Sequence, residues 1–454
     1  METAQKKGKP FGFYVCALGF TFERCAFYTV KYLLAIWIAT DLASGGLGLT
    51  DSEGAAISAS FVAWTYITPM IGGYIADRWL SPRLCVALGM ALMGAGYVCT
   101  AFAHSLGLVW VMITLVAVGT GFFKGNLSGI NGLMFSSQEQ LDEAFSIQYS
   151  FVNIGTFIGT TFIAVLATKG VMSFNGVFML CGIFMFIDLL WFIFAGNKAL
   201  GDAGKTPFKK DSREFVAKEA KEKDNAPLTK RDKRKVLAIV LLTLLSAVFW
   251  ALWYMCYMPV YYRFGYGDGA SFLNETNWQV GGFLVPTSWF DSINAIVCII
   301  LGPVLAALWA RLAKRPQGDI SMFTKTAWGC ILVGCAYIVL VIAHTIATKS
   351  ASGQSSIFWL VLVCLLMSVG EMVFSPLGNS FINKFAPAKL LGFLLGFWPI
   401  AVFVAQKVYP AIYDFLSTKD FNAGYGACAA IVIFFGAVLW AFSKKLDSWS
   451  DEAE

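Results

Sequence analysis

The stretch Phe20-Thr21-Phe22-Glu23-Arg24-Cys25-Ala26-Phe27-Tyr28-Thr29-Val30-Lys31 restricts what this chain can fold into more than any other. It lies inside an apolar run from about Phe11 to Ala39, long enough as a helix to cross a hydrocarbon layer of ~30 Å. A charge at mid-membrane costs at least ~2.5–3.5 kcal/mol, yet Glu23, Arg24 and Lys31 all sit there. Arg24, Phe27, Tyr28 and Lys31 repeat at helical intervals beside Glu23, so the five form one stripe. Such a stripe cannot face lipid. It must face a cavity or another helix, and other spans must supply its partners.

Composition agrees. Apolar residues make up 57% of the chain and charged residues 14%, where a soluble domain carries about 25% charged. The fold class expected is an all-α membrane protein, and 454 residues accommodate about twelve spans with short loops and no large soluble domain. The net charge of +6 does not indicate nucleic acid, because the basic residues gather in loops beside spans. The eleven cysteines are scattered without a CxxC pair and read as small buried side chains, and the two histidines, His104 and His344, sit at outer span ends away from any mechanism. No metal site, cofactor or catalytic set is expected, the chain is not expected to be an enzyme, and the lack of a Walker loop argues against ATP drive. No cleavable leader is visible, so the first span reads as retained.

After a basic tail, spans are expected at about 11–39, 55–77, 83–104, 108–135, 145–168 and 172–195. Residues 196–235 then carry thirteen Lys or Arg and read as a cytoplasmic linker, with helix over part of Arg213 to Lys223. Six more spans follow at about 236–262, 284–312, 322–345, 356–384, 390–414 and 422–443. With the N-terminus inside, about 26 Lys and Arg fall on the inner side, and only Lys169, Arg263, Lys349 and Lys419 fall outside. That bias places both termini in the cytoplasm of a multi-pass protein of the cell membrane. Six-helix bundles over residues 1–195 and 236–454, joined by the linker at 196–235, are the layout of a carrier that binds substrate at mid-depth between two rocking halves.

Span 2 ends in Gly72-Gly73-Tyr74-Ile75-Ala76-Asp77-Arg78. This resembles the signature loop of the major facilitator superfamily, with Gly72 and Gly73 for close helix packing and Asp77 and Arg78 as a conformational motif; plain inner-side anchoring is the alternative. Span 4 holds Lys124 and span 10 holds Glu371, each near mid-depth. A Lys and a Glu from opposite halves invite pairing across a cavity. A purely structural buried pair is the alternative, weak because desolvation can outweigh attraction.

The resemblance then becomes specific. Glu23-Arg24 with Tyr28 is similar to the E-x-x-E-R-F-x-Y-Y motif of the proton-dependent oligopeptide transporter (POT) family. Phe145 to Gly155, with Asn153, resembles that family's span 5 motif. Phe249-Trp250-Ala251-Leu252, Glu371 to Pro376 followed by Lys384 to Pro387, and Gly396-Phe397-Trp398 match its spans 7, 10 and 11 in order. The resemblance implies that Lys31 and Lys124 lie towards a peptide carboxylate and that Glu371 holds the α-ammonium. It also implies that Asn153 and Tyr66 bond the peptide backbone with Tyr28 nearby, and that Trp398 is an apolar wall. Packing remains the alternative for Tyr66 and Trp398. Independently, a zwitterion needs opposite charges at opposite ends of its pocket.

The departures matter more. Phe20 stands where the family has its first Glu, Phe27 where it has Tyr, and Lys31 where it has Arg. Tyr254 stands in the binding region where the family has a span 7 Glu. A phenol titrates near pH ~10 and cannot replace that acid. Conversely, Asp291 adds a carboxylate where the family's span 8 has Gln. It is expected either to pair with Lys31 as a displaced outer gate or to rest at a helix N-terminus. The function expected is proton-coupled symport of di- and tripeptides by a monomer in the lipid bilayer. Glu23, Arg24, Lys124, Asp291 and Glu371 would carry protons or gate. Altered coupling, a non-peptide substrate, or a ligand sensor that does not transport are the alternatives.

Overall fold

A computed structural model describes residues 9–135, 138–208, 229–312, 314–315, 320–387, 390, 394 and 397–451. The helix expected within Arg213 to Lys223, and Gly396, lie outside these residues. The described chain is nearly all helix. The long helices are α1 (Phe11–Ala39), α2 (Asp51–Arg78), α3 (Pro82–Ala101), α4 (Leu106–Gly132) and α5 (Gln138–Ile158, carried on by a π turn at Gly159–Ile163 and by Ala164–Thr168). They continue with α6 (Phe174–Ala199), α7 (Lys230–Tyr261), α8 (Trp289–Leu312), α9 (Met322–Lys349), α10 (Ile357–Phe385), α11 (Ile400–Ser417) and α12 (Phe421–Asp451). Among the described residues, ten helices are long and apolar enough to cross a membrane, and α1 and α11 fall outside that set. For α1 the cause is visible in Glu23, Arg24 and Lys31.

Local chemistry sets several boundaries. Ser81 caps α3 ahead of Pro82, with the Leu84 amide donating to its hydroxyl at 3.3 Å. The helix of α7 begins inside the basic linker because Thr229 and Asp232 form a reciprocal capping box. Likewise α5 starts at Gln138, earlier than the polar character of Ser136 to Glu143 suggests, since Gln and Glu favour helix. On the other side, α11 starts only at Ile400. Trp398 and Pro399 form a turn before it, where proline's missing N–H costs nothing. Past Pro376, α10 runs on as one helix.

Contacts divide the chain into two units, one of Met1–Leu33 with Ile67–Ser212, the other of Leu34–Tyr66 with Arg213–Glu454. In the first, small residues bring backbones together. A methyl on Gly89 of α3 would lie 2.6 Å from Gly119 O of α4, and one on Gly119 would lie 2.7 Å from Gly89 O. Gly155 and Gly159 of α5 meet the carbonyls of Thr21 and Cys25 on α1. Gly72 meets Gly121 O, whereas Gly73 meets nothing within 4 Å, so only one of the two signature glycines serves close packing. Arg83, at the start of α3, donates to Gly201 O and Ala203 O, both at 2.7 Å.

The second unit repeats part of this design. A methyl on Gly329 of α9 would lie 2.9 Å from Gly370 O of α10, and one on Gly370 would lie 3.0 Å from Gly329 O. They stand seven and thirteen residues beyond their helix starts, as Gly89 and Gly119 do in α3 and α4. The same unit contains the last residues of α1 and the first part of α2, held by side chains of α11 and of the residue that caps α7. Tyr262 donates to Ala35 O at 2.9 Å, Tyr413 to Asp51 Oδ2 at 2.7 Å, and Lys407 to Ser60 Oγ at 3.0 Å. Two-residue strands Thr276–Asn277 and Ser355–Ser356 pair in parallel and tie the loop before α8 to the loop before α10. Beside them Glu275 bridges Arg263 at 2.9 Å and His344 at 2.6 Å, so His344 has a structural partner.

The contrast between the adjacent signature glycines is testable. Gly72→Ala should lower the melting temperature of purified protein by the equivalent of ~1–3 kcal/mol, the usual cost of overpacking. Gly73→Ala should be neutral or slightly stabilising. Equal effects would contradict the packing described.

Candidate functional site

The stripe on α1 is buried and internally paired. Glu23 is 0% exposed and Arg24 7%. Arg24 Nε and Nη2 donate to Glu23 Oε2 and Oε1, each at 2.5 Å. The guanidinium also lies 4.4 Å from the Phe27 ring centroid and 5.7 Å from that of Tyr28. Lys31 Nζ stands 5.4 Å from the Tyr28 ring. The aromatic positions therefore shelter cations over ring faces, which recovers part of their lost hydration. Lys124, half-buried on α4, feels the charges of Arg24 and Glu23. Glu23, Arg24, Lys31 and Lys124 thus belong to one unit, which also buries Asp188 on α6. Asn153 is buried on α5 and gives its amide to Tyr149 O at 2.9 Å. The π turn that follows, Gly159–Ile163, is a helix irregularity of a kind frequent at functional sites. At the end of α2, Arg78 donates to the Tyr74 hydroxyl and lies 4.0 Å from that ring's centroid, beside half-buried Asp77.

In the other unit Glu371 is half-buried on α10. Asn294 Nδ2 donates to Glu371 Oε2 at 2.9 Å and also reaches Ser368 Oγ at 3.0 Å. A carboxylate held this way keeps a fixed direction. The neighbourhood is aromatic. Phe249 stacks on Phe374 with centroids 3.9 Å apart, and Tyr254 packs among Trp250, Trp253 and Tyr409 at 5.9, 4.9 and 6.2 Å. Tyr66 is half-buried on α2. Asp291, buried at the start of α8, accepts from the Tyr261 hydroxyl at 2.6 Å. Trp398 packs against the cluster of Ala238, Leu242, Phe323 and Leu439, where α7, α9 and α12 meet.

Three residues escaped the sequence reading. Asn294 orients Glu371, and Tyr261 holds Asp291. Lys407 of α11 bonds Ser60 and lies 5.5 Å from the Trp64 ring. Lys407 had a signal, being a cation within an apolar span like Lys124. Neither Asn294 nor Tyr261 stands out, because neutral polar residues are unremarkable in apolar runs until a carboxylate is found beside them.

The sequence profile of the Major Facilitator Superfamily matches residues 16–410. A protein of Lactococcus lactis subsp. cremoris called a di-/tripeptide transporter is 24% identical, over 93% of each chain. The peptide transporter YePEPT of Yersinia enterocolitica subsp. palearctica is 26% identical, over 86% of this chain and 85% of its own. Among solved structures, a mutant of the peptide transporter POT in complex with alafosfalin superposes with a TM-score of 0.85, at 25% identity, covering 97% of this chain and 96% of the other.

Pairing in α1 sets the next expectation. Arg24→Gln leaves Glu23 buried and uncompensated, and should cost ~3–5 kcal/mol of stability. Adding Glu23→Gln should recover much of that loss. Chemical denaturation of the single and double variants measures both; additive losses would mean that the pair is not coupled.

Proposed function

This chain belongs to the Major Facilitator Superfamily and, within it, to the proton-dependent oligopeptide transporter family, and from that premise we propose that it carries di- and tripeptides across the cell membrane in symport with protons. It is a transporter and not an enzyme. In this reading α1 and α11 complete a set of twelve spans in two six-helix halves, residues 1–195 and 236–454, with the linker at 196–235 and both termini in the cytoplasm. The carrier works as a monomer in the bilayer by alternating access.

The observation that carries the reading is Glu371, fixed by the Asn294 amide at 2.9 Å within an aromatic-walled helix pair. An acid there suits the α-ammonium of a peptide. Lys124, with Lys31 and Tyr28, takes the carboxylate end. Asn153 and Tyr66 bond the peptide backbone, and Tyr254 and Trp398 supply apolar contact. Protonation of Glu371 releases Lys124 for the carboxylate, and Glu23 with Arg24 switches between paired and open. Asp291 contributes to gating at the outer end of α8. Gly72, Gly73, Asp77 and Arg78 serve the conformational change. The named activities of the Lactococcus and Yersinia relatives support peptides as the substrate.

A second reading, exchange without net proton flow, draws on two filled positions. Phe20 packs edge-on to Phe123 at 5.5 Å, and Tyr254 lies among rings, where the family carries acids.

Uptake of labelled dialanine into proteoliposomes separates these readings. With one proton per peptide, each pH unit of inward gradient drives ~10-fold accumulation. Glu371→Gln and Lys124→Gln should each reduce driven uptake to background. Counterflow without driven accumulation would establish exchange, and absence of both would overturn transport itself.

A further inference from the structure

One buried acid has no place in the mechanism above. Asp188, on α6, is 0% exposed. Among the described residues neither of its carboxyl oxygens has a hydrogen-bond partner. Its surroundings are apolar on three helices. A methyl placed on Gly19 of α1 would lie 3.5 Å from Asp188 Oδ1, 3.2 Å from Leu127 Cδ2 of α4 and 3.6 Å from Met90 Cε of α3. An ionised carboxylate left dry and without donors costs far more than a neutral acid. The carboxyl therefore holds its proton in this conformation.

Its position along α1 is informative. Glu23, Gly19 and Cys16 follow one face of that helix at intervals of four and three residues. Asp188 stands over Gly19, feels the charge of Glu23, and is itself felt by Cys16. Cys16 in turn feels Arg83, which is tied to the inner loop through Gly201 O and Ala203 O. The acid thus lies between the Glu23–Arg24 pair and the inner end of α3. The other titratable or charged groups around the Glu23 end are Tyr97 of α3, Arg24 of α1 and Lys124 of α4. The Tyr97 hydroxyl is buried and, like the carboxyl, has no partner among the described residues.

We propose that Asp188 is a proton-binding site on the route from Glu23 to the cytoplasm, supplying from α6 the carboxylate that Phe20 withholds from α1. The step balances. Protonated Glu23 and ionised Asp188 become ionised Glu23, captured by Arg24, and protonated Asp188. The proton crosses about one helical turn of α1, ~6 Å, in a conformation that admits a water between the two carboxyls. Asp188 then yields it to water at the inner end. The conformation described is the state after transfer, with Glu23 paired and Asp188 neutral.

This inference rests on the proton-coupled reading, and the test separates the two. Wild type, Asp188→Asn and Asp188→Glu are compared in proteoliposomes by dialanine counterflow and by gradient-driven accumulation across external pH. Asp188→Asn should keep counterflow within about twofold of wild type and lose at least tenfold in driven accumulation. Asp188→Glu should keep accumulation with a displaced pH profile. Wild-type accumulation by Asp188→Asn, or loss of counterflow in a variant that melts like wild type, would overturn the role of Asp188 and leave the coupled reading intact. Should Asp188→Asn not fold, an unmoved pH profile in Asp188→Glu overturns the role equally. Absence of driven accumulation in the wild type itself overturns both.

Discussion

A charge that leaves water must find a partner before it is worth placing anywhere else, and the architecture follows from that requirement. Glu23 and Arg24 meet it within one turn of α1, by two hydrogen bonds of 2.5 Å. Because they are neighbours in sequence, the pair needs no other helix to exist. It can therefore open without unfolding the bundle. Glu371 meets the same requirement differently, through the neutral donor Asn294. A neutral donor fixes the carboxylate but does not cancel its charge. Glu371 is thus held by a neutral amide, whereas Glu23 is held by a cation.

Close helix contact makes such interiors possible. Where Gly155 and Gly159 meet the backbone of α1, no side chain separates α5 from the charged stripe. The matched glycine pairs in α3–α4 and α9–α10 show the same device used twice at the same register. Packing by small residues suits helices in lipid, where there is no hydrophobic drive to hold them together. Rigid pairs of this kind can move as bodies, as alternating access requires.

Much of this was legible from the residues. Ionisable side chains in apolar runs are rare enough that Glu23, Arg24, Lys31, Lys124 and Glu371 stand out on cost alone. Ordered motifs gave the family, and the profile match agrees with it. What stayed hidden were second partners and helix ends. Asn294 and Tyr261 act through acids that lie far away in sequence. Trp398 reads as a pocket wall from its motif, and its packing against apolar residues where α7, α9 and α12 converge could not be read from it. The break before α11 was also hidden, since hydropathy continues smoothly through Trp398-Pro399 while the backbone turns there. Asp188 carried a signal, being an acid in an apolar span, but its depth alone did not reveal that it has no donor among the described residues.

The central claim is that opposite charges on α4 and α10 read the two ends of one small zwitterion. Binding of dialanine to purified protein, compared with its N-acetylated and its C-amidated forms, tests this directly. The account predicts that each cap weakens binding at least ~10-fold, since a buried charge then loses its partner. It further predicts that Glu371→Gln erases the penalty of the N-terminal cap while Lys124→Gln erases that of the C-terminal one. Equal affinity for capped and free dipeptide in the unaltered protein would contradict it.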